Sequence, residues 1–385
     1  MIKLIKSFFT IDFLMCLLLI VASGNPIFIY SPYVRELYIG LAALAMWYNQ
    51  RKGADGFSSF RKYASVFFVV MIIQQALIPG LNFSSQIFAI IRILIGVMII
   101  RGLGGKFVSE YIKAMTFVAA ISLILFPLSL KYGLLPSVQT SEIGYSMYVY
   151  TIIFHNFGGI LPRNSGMFWE PGAFQGYLNI AIALALLLPK NKERKWSLVF
   201  LVTALLTTVS TTGYLVFGFI IIFYVYKFSR LSSFSRFLYS LMVIGVCMYS
   251  FFALDFMHDK IMDNTQDTES AQGRITDYIR YGDYLKNNFF FGVNTGEFEI
   301  NTGNGMVYMI LYYGGLIVFY YIINFWRNFS KKFSTSIVLF LLGVIFITLQ
   351  GEGFMFYPLY LAFPIVMLNF SQPLKYSIDC SKDMT

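Results

Sequence analysis

Charge is what this sequence has least of. Only 12% of its 385 residues are Asp, Glu, Lys or Arg, about half the share of a soluble domain. Cysteine is nearly absent. The three present, Cys16, Cys247 and Cys380, lie far apart, with no CxxC spacing and no basis for a disulfide framework. There are two histidines, His155 and His258, neither with a partner at ligand spacing, so no metal site is expected. The formal net charge is +10. In a soluble chain that would suggest nucleic acid, but no RNA- or DNA-binding motif accompanies it.

What is present is apolar length. The chain is 57% hydrophobic and 19% aromatic. Runs of about 17–25 apolar residues recur, each long enough to cross a bilayer. They do not alternate as the strands of a membrane barrel would. The expected fold is an all-α polytopic membrane protein, a single transmembrane domain over 1–385. About twelve spans are predicted, near 7–23, 35–49, 63–79, 84–100, 112–130, 172–189, 196–210, 213–227, 236–254, 304–325, 333–349 and 354–370. The start, "MIKLIKSFFTIDFLMCLLLIVASG", has the basic-then-apolar form of a signal peptide. Among so many later spans it reads as an uncleaved first helix.

Cations collect in short loops, which fixes an orientation. With the N-terminus inside, about 21 of the 29 Lys and Arg fall inside and about 7 outside. Of the 19 acids, about 5 fall inside and about 13 outside. Both termini are then cytoplasmic. Two long segments face outward, 131–171 and 255–303. Long loops in compact membrane domains commonly carry function. The second contains "ESAQGRITDYIRYGDYLKNN", read as a short amphipathic helix at the outer interface. Ile275, Tyr278, Ile279 and Leu285 are assigned to its apolar side.

The first outer loop closes with "RNSGMFWEPGAFQGYLNI", Arg163 to Ile180. Pro171 suits the first turn of a helix, where a missing N–H costs nothing. Glu170 then sits at a positive helix end that favours its ionised form. Helix capping accounts for Glu170 but not for Arg163, an outer arginine against the charge bias. It pairs with Glu170 or binds an anion. Arg274 and Arg280, from the second loop, could join it in a clamp for phosphate or pyrophosphate, a task that suits guanidinium geometry. For each, a solvated charge or a local salt bridge is the plainer reading. Arg280 has Asp277 and Asp283 three residues to either side. Arg92 falls mid-span, where an arginine is costly and faces a partner or a cavity. Asp12 is the one acid at comparable depth. Glu352, in "QGEGFMFYPLY", lies between the last two spans and between glycines that allow a close backbone approach.

Three segments resemble the Wzy-type O-antigen and polysaccharide polymerases. "RNSGMFWEPGAF" matches that family's R-x-x-G-x-[FL]-x-E-P-x-x-[FA] pattern. "TVSTTG" matches its T-x-S-[RST]-[ST]-G turn. The stretch from "GRITDYIRYGDYLKNN" to the glycine-containing helix after Asn304 is similar to its long outer loop. The resemblance covers about Arg163 to Phe325. Related O-antigen ligases usually carry a histidine before the span that starts here near Asn304. This chain has Asn301 and Asn304 instead, which favours polymerase over ligase.

The resemblance implies a GT-C-like, metal-independent membrane glycosyltransferase at the outer face of a bacterial inner membrane, with no cofactor. Its partners would be undecaprenyl-pyrophosphate-linked glycan donor and acceptor, membrane lipids and a chain-length regulator. Such a reaction needs charge on the leaving pyrophosphate stabilised and a proton taken from the acceptor hydroxyl. Glu170, Arg163 and Arg274 are the expected catalytic residues. Arg280, Tyr281, Asn301, Asn304, Glu352 and Arg92 are expected to bind substrate. Glu352 and then Asp277 follow Glu170 as candidates for the base. The alternatives are a ligase transferring glycan to lipid A core and a flippase for lipid-linked oligosaccharides. A flippase tends to show internal repeats and mid-membrane charges, and no convincing repeat is found.

Overall fold

The computed structural model describes residues 10–78, 83–132, 156–157, 162–189, 191–229, 231–253, 277–293 and 302–366. Arg274, Asn301, His155, His258, Cys380 and most of both long outer segments lie outside the described residues. The described chain is helical apart from one short antiparallel pair, β1 (Asn156–Phe157) with β2 (Arg163–Asn164). The helices are α1 (Ile11–Ala22), α2 (Ile27–Tyr30), α3 (Val34–Arg51), α4 (Gly56–Leu77), α5 (Phe83–Leu103) and α6 (Phe107–Tyr132). They continue with α7 (Pro171–Leu187), α8 (Lys192–Thr207), α9 (Thr211–Phe228), α10 (Ser233–Ala253) and α11 (Gly282–Asn288). The last four are α12 (Gly305–Tyr313), α13 (Gly315–Phe329), α14 (Thr335–Leu349) and α15 (Pro358–Ala362).

Among the described residues, three helical stretches are long and apolar enough to cross a membrane: Gly56–Leu77, Gln86–Leu130 and Thr211–Phe228. A fourth is added if α12 and α13 count as one broken span. α1, α7 and α14 are apolar but shorter. The outer surface is greasy as well: Phe234 is 72% exposed, and Phe237, Leu238, Leu241 and Met242 on the same helix are exposed too. A water-facing surface would not keep so contiguous an apolar patch; hydrocarbon removes that penalty. The chain is an all-α membrane protein.

Two of the expected spans are built differently. The 304–325 span is broken at Gly314, where α12 and α13 meet at 111°. Gly314 has φ +81° and ψ 155°, a conformation essentially confined to glycine. The Phe289–Gly292 return of the 255–303 segment packs into this break, with Val293 N–H donating to the Leu311 carbonyl at 2.8 Å. Over its described part, the 354–370 span is no continuous helix. It is a 3-10 turn (Phe354–Phe356), α15 and a second 3-10 turn (Phe363–Ile365). Pro358 and Pro364 each remove a helix donor there.

α7 organises the rest. Nearly all of its side chains are buried, as expected of a helix apolar all round. It packs against α6, α8, α9 and α14. Small residues let neighbours close in. At Gly176, a Cβ would come within 2.8 Å of Thr348 Cγ2 and overlap Phe354. The helix that begins at Glu170 and Pro171 is therefore the core of the bundle, and its N-terminus is held on all sides.

Candidate active site

The N-terminus of α7 gathers four separate segments. Glu170 is the N-cap, in extended conformation, with Pro171 at the first helical position. Its carboxylate accepts a hydrogen bond from Trp169 Nε1 at 2.9 Å. Trp169 is fixed in turn: its N–H donates to the Gly24 carbonyl, and its ring packs on Tyr357 at 5.0 Å and Phe354 at 5.8 Å. Two residues on, within the first turn, Gly172 has no side chain, and the Glu352 carboxylate occupies that space. Glu352 is buried. Two carboxylates thus flank the positive end of one helix, where the peptide dipoles stabilise negative charge.

The Glu352 backbone in turn presses on Gly305, the first residue of α12. Asn304 caps α12: its Oδ1 accepts from Met306 N–H at 3.0 Å and Val307 N–H at 3.2 Å. Its Nδ2 donates to Gln350 Oε1 at 3.0 Å, and the Tyr278 hydroxyl donates to the same oxygen at 2.8 Å. Asn304, Gln350 and Tyr278 form one node joining the end of the second outer loop to the segment that carries Glu352.

Arg163 is held by the turn between α8 and α9. It lies on β2, partly buried, and its Nε donates to the Thr208 carbonyl at 3.2 Å. Asn164, fully buried, anchors that strand through Nδ2 to Ser122 Oγ (3.1 Å) and Thr207 Oγ1 (2.9 Å). The turn that presents Thr208 is strained. Val209 has φ +48°, the one positive φ at a described non-glycine residue, and a β-branched side chain rarely tolerates that. Ser210 caps α9 by accepting from Gly213 N–H, and Gly213 lies against Gln175 of α7. Thr212 abuts Gly351. The "TVSTTG" turn, the Glu-Pro segment and the Glu352 loop therefore meet.

Beneath this meeting point, buried polar atoms are left over. Ser165 Oγ, Gln175 Nε2 and Asn179 Oδ1 have no hydrogen-bond partner among the described residues. Buried groups are normally satisfied, so these three stand out as unused donors and acceptors among the described residues.

The other expected site residues stand apart. Arg280 is exposed on the short helical turn 277–280. Tyr281 is buried with Val293, Val307 and Leu311 in a small satellite core. Asp277 is buried and accepts from the Thr302 hydroxyl. Protein therefore covers the Asp277 and Tyr281 side of this segment, while Ile279 points outward, 78% exposed. Arg92 stacks its guanidinium over Tyr38 at 5.0 Å, with Nε buried and without a hydrogen-bond partner among the described residues. It does not pair with Asp12, which meets Lys52 at 2.5 Å, Lys106 at 3.2 Å and the Tyr48 hydroxyl at 2.8 Å. Asp12 is thus a structural ion-pair centre. Gln350, Tyr278 and Asn164 gave no signal in the sequence: each acts through a contact remote in the chain.

The O-antigen ligase family model, Wzy_C, matches residues 196–309, which run from α8 through the strained turn and the second outer loop into α12. The match is consistent with the O-antigen ligase/polymerase superfamily. No curated protein and no solved structure matches the chain. The chain is an all-α membrane protein that over residues 196–309 is similar to the O-antigen ligase family, and this similarity supports an O-antigen ligase/polymerase-type function.

Proposed function

We propose that this protein polymerises undecaprenyl-pyrophosphate-linked repeat units into a surface polysaccharide at the outer face of the bacterial inner membrane. The observation that carries the reading is the meeting of Glu170 and Glu352 at the N-terminus of α7, with Arg163 held to the Thr208 carbonyl of the turn whose Gly213 packs on the same helix. In the proposed step, an acceptor sugar hydroxyl attacks the anomeric carbon of the donor. The carbon–oxygen bond to pyrophosphate breaks, and undecaprenyl pyrophosphate leaves. Glu170 takes the hydroxyl proton. The helix end and Arg163 stabilise negative charge that grows on the leaving group. Glu352 and Trp169 hold Glu170 and the helix end in place. Arg280, Tyr281 and Arg92 stand apart from this site and take no part in the proposed step; Arg274 and Asn301, outside the described residues, are proposed to contact the glycan substrate.

Asn304 supports polymerase over ligase. It is occupied as a helix cap and a bridge to Gln350, and an amide cannot serve as the titratable base that a histidine would supply. The description of the matching family favours ligation, and the same assay separates the two. Purified protein is incubated with synthetic undecaprenyl-pyrophosphate repeat units, with and without lipid A core. A ladder formed without core supports polymerisation. Transfer to core with no ladder makes it a ligase. Arg163→Ala and Glu170→Ala should abolish the ladder at normal membrane levels, and full ladders from both would overturn the site.

A further inference from the structure

A polar cavity lies at the end of α4 away from Gln74. It has a volume of about 490 Å³ and opens among the start of α4, the ends of α5 and α13, and Pro364–Ile365. Gln74, near the other end of α4, bonds the Phe291 carbonyl of the second outer loop's return. Lys62, in the cavity wall, is roughly 18 Å from Gln74 along that helix. The cavity shares no lining residue with the α7 site.

Four cations line it, Lys62, Arg101, Arg327 and Lys331, with one acid, Asp55. None of the four makes a salt bridge among the described residues. Arg101 Nε is buried with no hydrogen-bond partner among the described residues. The walls are tied in place. Asn328 Nδ2 donates to the Pro364 and Val366 carbonyls at 2.9 and 3.1 Å, and the Tyr320 hydroxyl donates to the Lys62 carbonyl at 3.3 Å. Tyr63 and Tyr320, both lining residues, stack at 5.5 Å. Arg101 and Arg327 also complement the negative ends of their own helices. That role does not explain why Lys62 and Lys331 converge on the same hollow, nor why Arg101 Nε is buried without a partner among the described residues. The volume falls within the range of about 300–1,000 Å³ typical of small-molecule sites, more than a single inorganic ion needs.

We propose that this cavity binds the phosphate of an anionic phospholipid headgroup from the cytoplasmic leaflet. The ligand chemistry is a phosphate ester held by two guanidinium and two ammonium groups, a match of charge and geometry. The placement in the inner leaflet follows from the cation-rich loops that form the cavity. It does not depend on the polymerase reading.

The test uses full-length protein, delipidated and reconstituted in phosphatidylcholine nanodiscs with or without phosphatidylglycerol. Thermal stability and lipid retention by native mass spectrometry are the readouts. Phosphatidylglycerol should stabilise the protein and remain bound. Arg101→Gln with Arg327→Gln should weaken retention by about thirtyfold, while Arg101→Lys should keep most of it. Lys192→Gln with Lys195→Gln, charges outside the cavity, should leave retention unchanged. Equal stabilisation by soluble glycerol 3-phosphate would overturn the lipid source and reassign the site to a free phosphate ester. The proposal is overturned if wild-type protein does not distinguish the two lipids, or if the Lys192/Lys195 pair loses as much as the Arg101/Arg327 pair. Polymerase activity is not a readout, so failure of that reading would leave this result standing.

Discussion

The Glu352 carboxylate lies directly over Gly172, in space that any other side chain would fill. The two residues are remote in sequence, yet together they set a buried acid against the first turn of the core helix. The absence of a side chain at Gly172 is therefore a requirement of the site, since helix formation alone would favour alanine by about 1 kcal/mol.

That conflict makes Gly172→Ala informative. The substitution should help α7 form while expelling the Glu352 carboxylate. The expected outcome is loss of long glycan chains comparable to Glu352→Ala, with membrane levels and melting temperature close to wild type. Unimpaired ladders from Gly172→Ala would show that the position of Glu352 does not matter to the reaction. The measurement is ladder length on a glycan gel beside a quantified membrane blot.

Some of this arrangement was legible in the sequence. Low charge and recurrent apolar runs indicated a helical membrane protein, and the helix start at Glu170–Pro171 followed from proline and dipole chemistry alone. The meeting of "TVSTTG" with the Glu-Pro segment did not follow, because it depends on Gly213 against Gln175 and Thr212 against Gly351, contacts with no local signature. The break at Gly314 was hidden for a related reason. Hydropathy continues straight through it, and only the Phe289–Gly292 return, packed from another part of the chain, makes the bend necessary. The 277–288 segment does not divide into one apolar and one polar face: Tyr278, Ile279 and Tyr284 are exposed, while Leu285 packs beside Tyr281. There the buried positions are Asp277 and Tyr281.

Val209 carries backbone strain next to the carbonyl that holds Arg163. A residue in such a conformation costs about 1–3 kcal/mol, partly offset in any glycine variant by about 0.5–1 kcal/mol of lost chain entropy. Val209→Gly should therefore raise thermal stability slightly. It should also lower polymerising activity, because the Thr208 carbonyl would no longer be held rigidly against Arg163. Differential scanning fluorimetry and the ladder assay read the two effects separately. A variant less stable than wild type would mean that the Val209 side chain contributes more by packing than its backbone costs.

Gly314 lets α12 turn back at 111°. A methyl group there would sit 2.9 Å from the Phe290 carbonyl carbon and overlap its oxygen. It would also have to adopt φ +81°. Gly314→Ala should destabilise the protein by more than about 1 kcal/mol, seen as a lower melting temperature and reduced membrane yield. Gly282→Ala is the control, since a methyl group there meets nothing within 4 Å and the residue begins α11; it should behave as wild type.

Asn304 separates the capping role from the bridging role at one position. Asn304→Ala removes both and should cost about 1–2 kcal/mol through the lost cap, with further loss from the released Gln350 and Tyr278. Asn304→Asp keeps an oxygen for the Met306 and Val307 amides, and its charge is favoured at a helix N-terminus. It loses the Nδ2 donor to Gln350 and brings a second negative charge towards Glu352. If the node serves only stability, Asn304→Asp should keep nearly wild-type melting and full ladders. If the bridge to Gln350 sets the position of Glu352, Asn304→Asp should melt near wild type yet give short or absent ladders, and Gln350→Ala should share that defect. The proposed site predicts the second pattern. Melting curves paired with ladder lengths for Asn304→Ala, Asn304→Asp and Gln350→Ala distinguish the two. Full ladders from Asn304→Asp would detach this node from the reaction and leave Asn304 a helix cap.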